Sequence, residues 1–257
     1  MSLPIGKDHQ LILTSVMMMN KLLHLNHHPG TSPSPFKTHI SSFNDDFIEL
    51  AESYCYPMGG GQPSDHAVLS NKRFSCNIQD VRGKETLMHY FEKISGEFEV
   101  GDEITCIIDT KRRNQLCKMH TAQHLISALA NEEWKAETVG NQIGVESTRI
   151  DLKFENRDVF DASHLQSIVN NEIDNALEVK MNFREVNDLL DDPLVRINMD
   201  RMPPNINLWR TIAIGDIDVC PCAGTHVANT REIPQLEITR VKSKGAGKLR
   251  VEYKLNE

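Results

Sequence analysis

No run of this 257-residue chain is both long enough and apolar enough to cross a bilayer. The most apolar early stretch, LILTSVMMMNKLLHL, is broken by Lys21 and lacks the basic flank and small-residue cleavage site of a secretory signal. A cytoplasmic protein with no membrane contact is expected. A disulfide framework is also missing. Cys55, Cys76, Cys106, Cys117, Cys220 and Cys222 follow no repeating spacing, which excludes a stapled secreted scaffold and leaves burial or metal ligation. There is no excess of positive charge either. A net charge of −8 argues against a non-specific nucleic-acid binder held by overall charge.

What is present is the composition of a globular protein, with 39% hydrophobic and 25% charged residues. The charge is uneven. Residues 155–192 are acidic, whereas TRVKSKGAGKLRVEYK sets Arg240, Lys242, Lys244, Lys248, Arg250 and Lys254 against Glu252 alone. A second basic run holds Lys111, Arg112, Arg113 and Lys118. Each run alone reads as a solvated face. Flanking one candidate site together, they point to a polyanionic substrate.

Residues 1–18 read as an extension, and MNKLLHLNHHPGTSPSPF reads as a loop. His24, His27 and His28 in it read as a surface polar tract, because no cysteine or carboxylate nearby completes a ligand set. FKTHISSF, FIELAESYCY, RFSCNIQDV, TLMHYFEKI and EITCIIDT then read as short strands separated by turns, predicting a small β-barrel over residues 19–110. Between them sits YPMGGGQPSD. From Met119 to Glu132 the apolar period becomes helical, and a second helix is predicted after a cap at Asp161 or Ser163, with a stripe running from Leu165 to Leu177. TRIDLKFE, VKMNFREV, LWRTIAIGD, LEITRVKS and KLRVEYKL read as strands. Residues 111–257 are thus expected as a second domain, two helices on an antiparallel sheet, giving an α+β fold overall.

The stretch CKMHTAQHLISALA puts His120 and His124 one helical turn apart on one face. Such a pair reads equally as two polar positions on a half-exposed helix. Much later, CPCAGTH sets Cys222 and His226 four apart around a glycine. One thiolate and three imidazoles suit Zn²⁺ in tetrahedral geometry, and pairs this distant converge only through a fold, as in an enzyme site more than in a zinc finger.

HTAQHL together with CAGTHVANTREI resembles the HxxxH and CxxxH motifs of the editing domain of alanyl-tRNA synthetase. YPMGGGQPSD is similar to the glycine-rich motif that precedes that domain, and KGAGKLRVEYKL to its closing hairpin. The order matches from about Met19 to Leu255, and the segment before is too short for an aminoacylation domain. The chain therefore resembles the freestanding alanyl-tRNA editing proteins of the AlaX family, in the medium-length form with an N-terminal barrel. Ala223 stands where that family usually has glycine.

The resemblance implies a zinc-dependent hydrolase that deacylates tRNA(Ala) mischarged with serine or glycine and spares alanyl-tRNA(Ala). It places the zinc on His120, His124, Cys222 and His226, with Cys220 outside the set; Asp216 and Asp218, close by in the sequence, are expected to orient a ligand histidine. Gly59, Gly60, Gly61 and Gln62 are expected to close over the tRNA 3′ end, and Thr121 and Gln142 to hydrogen-bond a serine hydroxyl. Arg112, Arg113, Lys242, Lys244 and Lys248 are expected at the tRNA backbone. Beyond a metal-bound water no catalytic group is named, since no Glu adjoins His120 as in HExxH. Four protein ligands close a tetrahedral shell. Catalysis then needs a displaced ligand (His226 being the suspect), an expanded shell, or a separate group guiding the water. The rival readings are an editing hydrolase of another aminoacyl-tRNA specificity, and a non-catalytic tRNA-binding module with a structural zinc.

Overall fold

The computed structural model describes residues 21–33, 35–197 and 207–256, so the extension expected at 1–18 lies outside the described residues. Alternating burial is the rule in the first half. In β1 (Phe36–Phe43) Phe36, Thr38 and Ile40 point inward while their neighbours face solvent. With β2 (Phe47–Leu50), β3 (Ala67–Ser70), β4 (Phe74–Arg82), β5 (Met88–Gly96) and β6 (Glu103–Ile108) it closes an antiparallel barrel in the order β1-β2-β5-β4-β3-β6. Ile40, Ile48, Leu69, Ile78, Ile104 and Cys106 fill the interior. The strand expected in FIELAESYCY stops at Leu50, and β3, too short to show a period, was not expected.

One residue after β6, Asp109 caps α1 (Thr110–Trp134) by accepting the Arg112 N–H. The helix starts a full nine residues before the Met119 expected from its apolar period, because its first turns are polar. Every residue from Met119 to Ala130 is buried. Beyond it run β7 (Glu137–Gln142), β8 (Thr148–Lys153), α2 (Ala162–Asp174), β9 (Val179–Glu185), β10 (Leu208–Ile214), β11 (Asp218–Pro221), β12 (Leu236–Ser243) and β13 (Lys248–Leu255). Asp161 caps α2, which ends at Asp174, so Ala176 and Leu177 lie in the turn after it and not on its stripe.

The fold is α+β, as expected, but the single sheet foreseen for this half is two. The strands pair as β12-β13-β8-β7 and as β11-β10-β9. One core joins both sheets to the helices, with Leu125, Ile126, Val169, Ile150, Val251, Ile212 and Ile214 among its members. Tyr253 ties β13 to α1 by donating to the Met119 carbonyl at 2.7 Å.

The segment read as a loop is packed. Leu22 joins the barrel core, Gly30 N–H donates to the His226 carbonyl at 2.8 Å, and Arg210 Nε donates to the Leu25 carbonyl at 2.9 Å. The histidines there are not a surface tract. His24 is 4% exposed, and burial, reinforced by Arg113 and Arg210, pushes its pKa down to about 3 and keeps the ring neutral. No helix among the described residues is long and apolar enough to cross a membrane.

Candidate metal centre

Helical spacing brings His120 and His124 together in the buried middle of α1, their ring centroids 5.2 Å apart. The β10–β11 hairpin supplies the rest. Cys222 N–H donates to the Arg210 carbonyl at 3.1 Å, and the chain then turns through Gly224 to His226. A Cβ at Gly224 would lie 2.1 Å from His120 Cε1, so only glycine lets this turn lie against the helix. The four ligand atoms of His120, His124, Cys222 and His226 fall within 4.8 Å of one another.

Each imidazole presents Nε2 to the centre because an oxygen holds its Nδ1. His120 Nδ1 lies 2.7 Å from Gln62 Oε1, an oxygen that also accepts the Thr225 N–H. His124 Nδ1 lies 3.0 Å from the Asp218 carboxylate. His226 Nδ1 lies 3.1 Å from Thr121 Oγ1, whose own proton goes to the Cys117 carbonyl. All three partners accept, so every Nδ1 carries a proton and Nε2 is the nitrogen that each ring turns to the centre. Cys222 Sγ lies 3.3 Å from His226 Nε2 and 3.6 Å from His120 Nε2. A tetrahedral zinc with ordinary Zn–S and Zn–N bonds places sulfur and nitrogen about 3.5 Å apart, so these residues fit the ion.

The electrostatics agree with a thiolate ligand. Burial raises the Cys222 thiol, but the imidazoles of His120 and His226 outweigh it and hold the thiol well below its ordinary value. Burial and then His120 hold His226 neutral. For His124, burial works downward, and Asp218 and Cys222 overcome it and carry the ring up to about 9. Asp218 is itself fully buried and anchored by Arg196 Nε at 2.6 Å. Of the two orienting carboxylates expected, Asp218 takes the place and Asp216 is exposed in the turn.

Beside the cluster opens a cavity of about 950 Å³. A polar stripe of α1 forms one wall: His120, Gln123, His124, Ser127 and Asn131, faced by Thr138 and Asn141 of β7. Gln123 Nε2 donates to Ser127 Oγ at 2.7 Å, and Thr138 Oγ1 donates to the same oxygen at 2.8 Å. That stripe repeats at helical spacing inside a helix otherwise buried in apolar contacts, a signal present in the sequence.

The other expected residues are placed as follows. Gly59 and Gly60 line the cavity. Gly60 and Gly61 are the centre of a two-residue turn with both φ positive, closed by paired hydrogen bonds between Gly59 and Gln62. Gln62 is 1% exposed, and its amide serves His120 and Thr225, so it supports a ligand and does not face substrate. Thr121 lies buried behind His226 for the same reason. Gln142 is exposed and accepts from Arg149 Nε at 2.9 Å, while its neighbour Asn141 is the one at the cavity. Cys220 lines the cavity outside the ligand group.

Among the cations, Arg113 is a correction. It is 1% exposed, paired with Asp65, and donates to the Tyr54 and Gly30 carbonyls, so no phosphate reaches it. Arg112 is half-buried and donates to the Ser64 carbonyl. Lys242 and Lys244 are exposed and Lys248 half-exposed near the end of the β12–β13 hairpin. The cavity-lining strand β7 is at the opposite edge of that sheet from β12, about 14 Å away over three strand spacings.

A buried group of three imidazoles and a thiol, open on one side to a polar cavity and braced by a β-barrel, has the make-up of a site that could hold a metal ion, and the comparisons point to the class of protein that carries it. The family described as the threonyl and alanyl tRNA synthetase second additional domain matches residues 209–252, which include Cys222 and His226. The alanyl-tRNA editing protein AlaX-M of Saccharolobus solfataricus is 29% identical over 221 residues, covering 85% of this chain and 92% of that one. AlaX-L of Pyrococcus horikoshii is 31% identical over 80% of this chain and 50% of its own length. The alanine–tRNA ligase of Haloquadratum walsbyi is 31% identical over 74% of this chain and 21% of the ligase. Over most of its length the chain is similar to the alanyl-tRNA editing proteins, and it is similar to the editing domain of alanyl-tRNA synthetase.

Proposed function

We propose that this protein hydrolyses the aminoacyl ester of tRNA(Ala) mischarged with serine or glycine, using a zinc ion held by His120, His124, Cys222 and His226. The observation that carries the reading is the convergence of those four side chains beside a cavity at the upper end of the range for ligand sites, about 300–1,000 Å³. Bound there, the ion supplies Lewis-acid polarisation of an ester carbonyl.

The chain's own residues do the rest. Gln62, Asp218 and Thr121 fix the three imidazole rings before substrate arrives. Gln123, Ser127, Thr138 and Asn141 give the cavity neutral polar groups suited to a small hydroxylated side chain. A serine hydroxyl can join that hydrogen-bonded group and alanine cannot, which is the physical basis for rejecting alanine, whereas glycine enters by its size. Gly59 and Gly60 form the part of the wall with least side-chain bulk, suited to the terminal ribose. The exposed Lys242 and Lys244 and the half-exposed Lys248 suit tRNA backbone beyond the cavity.

One observation favours a second reading, a binding module with a structural zinc: four protein ligands already complete a tetrahedral shell. Deacylation of Ser-, Gly- and Ala-tRNA(Ala) and of Ser-tRNA(Thr), with and without chelator, separates them. The hydrolase reading expects turnover of the first two only, abolished by chelation. Ser-tRNA(Ala) left charged at stoichiometric protein establishes the binding module instead.

A further inference from the structure

One wall of the cavity belongs to the barrel, and it contains a cation that none of the assignments above uses. Gly83 and Lys84, in the turn between β4 and β5, line the cavity together with Met58, Gly59 and Gly60. The two stretches are fastened into one unit. Met58 N–H donates to the Val81 carbonyl at 2.9 Å, and Ser64 Oγ donates to Asp80 at 2.6 Å. The turn itself is tight: Gly83 has φ +115, and a Cβ there would lie 2.0 Å from the Thr86 carbonyl oxygen. Only glycine fits, so Lys84 starts from a fixed backbone.

The charges around the cavity leave Lys84 distinct. Arg82 beside it is held by Asp80 at 2.6 Å and lies 5.1 Å from the centre of the Tyr90 ring. Of the charged lining residues, Arg196 is paired with Asp218, and Glu137 lies 3.9 Å from Lys153. Among the described lining residues Lys84 is the cation with no ion pair. It is exposed as well as lining the cavity, which puts it at the rim, and its exposed neighbour Glu85 does not line the cavity.

Resting on the deacylase reading, we infer that Lys84 binds a backbone phosphate of the tRNA 3′ end while the aminoacyl ester lies at the metal centre. The cavity is of a size for an aminoacylated nucleoside, so the next group outward is a phosphodiester. The rim it crosses carries one unengaged ammonium on a preordered turn, a suitable point charge for phosphate. The barrel thereby contributes directly to substrate binding as well as bracing His120 through Gln62.

The test uses the full chain with zinc, as wild type, Lys84→Ala and Lys84→Arg. Two substrates are compared, Ser-tRNA(Ala) and 3′-O-seryl-adenosine, which has no phosphate. Lys84→Ala is expected to raise KM several-fold for the tRNA with kcat kept, and to leave seryl-adenosine unchanged, while Lys84→Arg behaves as wild type. The salt dependence of binding to uncharged tRNA(Ala), log K against log salt, becomes shallower by about 0.7, the share of one single-stranded phosphate. An unchanged KM and slope, or an equal loss on seryl-adenosine, overturns the inference. If wild type hydrolyses neither substrate, the deacylase reading has failed, and the salt slope still decides whether Lys84 meets a phosphate.

Discussion

The amide oxygen of Gln62, in the loop that joins β2 to β3 of the barrel, lies 2.7 Å from Nδ1 of His120 on the helix after the barrel. The same amide donates to Thr225 Oγ1 at 2.9 Å and accepts the Thr225 N–H, so one side chain registers the barrel, the helix and the CAGTH turn against each other. Partners of this kind are worth about 10–100-fold in metal affinity. Gln62→Ala is expected to lose about that much, read by competition with a chromophoric chelator, with the circular dichroism unchanged. An unaltered affinity would show that packing alone orients His120.

Removal of the proposed zinc should leave a folded protein. The ligands are carried by elements whose other residues already form one apolar core, from Leu125 and Ile126 on α1 to Ile212 and Ile214 on β10. Ligand binding stabilises by mass action, so chelation lowers Tm without abolishing the transition. Scanning calorimetry of apo and holo protein checks this. An apo form with no cooperative transition would give the ion a scaffold role.

Much of the architecture was readable from the chain. Barrel strands such as Phe36–Phe43 alternate at period two because each buries one side, whereas the middle of α1 is buried all round, with its apolar positions and its polar ones both recurring at helical spacing. What escaped was decided by tertiary contact. β7, with sequence ETVGNQ, and β11, with DVCP, carry no period of their own and are strands only because β8 and β10 pair with them. The candidate metal-ligand pairs were visible as motifs, but their supports were not. Gln62 and Thr121 look like substrate contacts in sequence, and only the fold shows their polar atoms turned onto His120 and His226. Arg113 likewise reads as one more cation in a basic run until Asp65 appears against it.

That buried pair yields a prediction opposite to a phosphate contact. Removing one partner strands a charge at 1% exposure, at a cost of about 3–5 kcal/mol. Arg113→Met should destabilise the fold by that order in denaturant titrations and leave the salt slope of tRNA binding alone. Neutralising Lys242, Lys244 and Lys248 should do the reverse, flattening the slope with little loss of stability. A triple variant with the wild-type slope would show that the hairpin faces away from tRNA.

Asp151 makes the stability sensitive to acid. Arg250 grips its carboxylate through Nε at 2.7 Å and Nη2 at 2.9 Å, joining β13 to β8, and Arg149 adds a contact at 3.3 Å. Arg250 first, against partial burial, holds its pKa below the ordinary 3.8. A depressed folded value means the contribution is complete above 3.8 and fades as pH falls through the lower folded value. Asp151→Asn should therefore be less stable than wild type at pH 7, and their urea midpoints should converge below pH 3.8. A gap that persists in acid would assign the effect to packing.

The selectivity prediction rests on Ser127. Its hydroxyl oxygen accepts from both Gln123 Nε2 and Thr138 Oγ1, in a cavity wall shared with His120 and His124. Removing that oxygen leaves one buried donor, Gln123 Nε2, and one half-buried donor, Thr138 Oγ1, without their acceptor and frees them to reorient. Each such loss costs on the order of 1–3 kcal/mol, enough to disturb the geometry that favours a hydroxylated side chain. Ser127→Ala should lower kcat/KM for Ser-tRNA(Ala) by about 10–100-fold, the rate equivalent of that energy, while Gly-tRNA(Ala), with no side chain to read, changes little. Gln123→Leu should act in the same direction, and zinc content measured alongside separates a pocket effect from damage to the neighbouring His124. Equal losses on both substrates with full metal occupancy would place serine recognition elsewhere in the cavity, with Asn141 the next polar group to test.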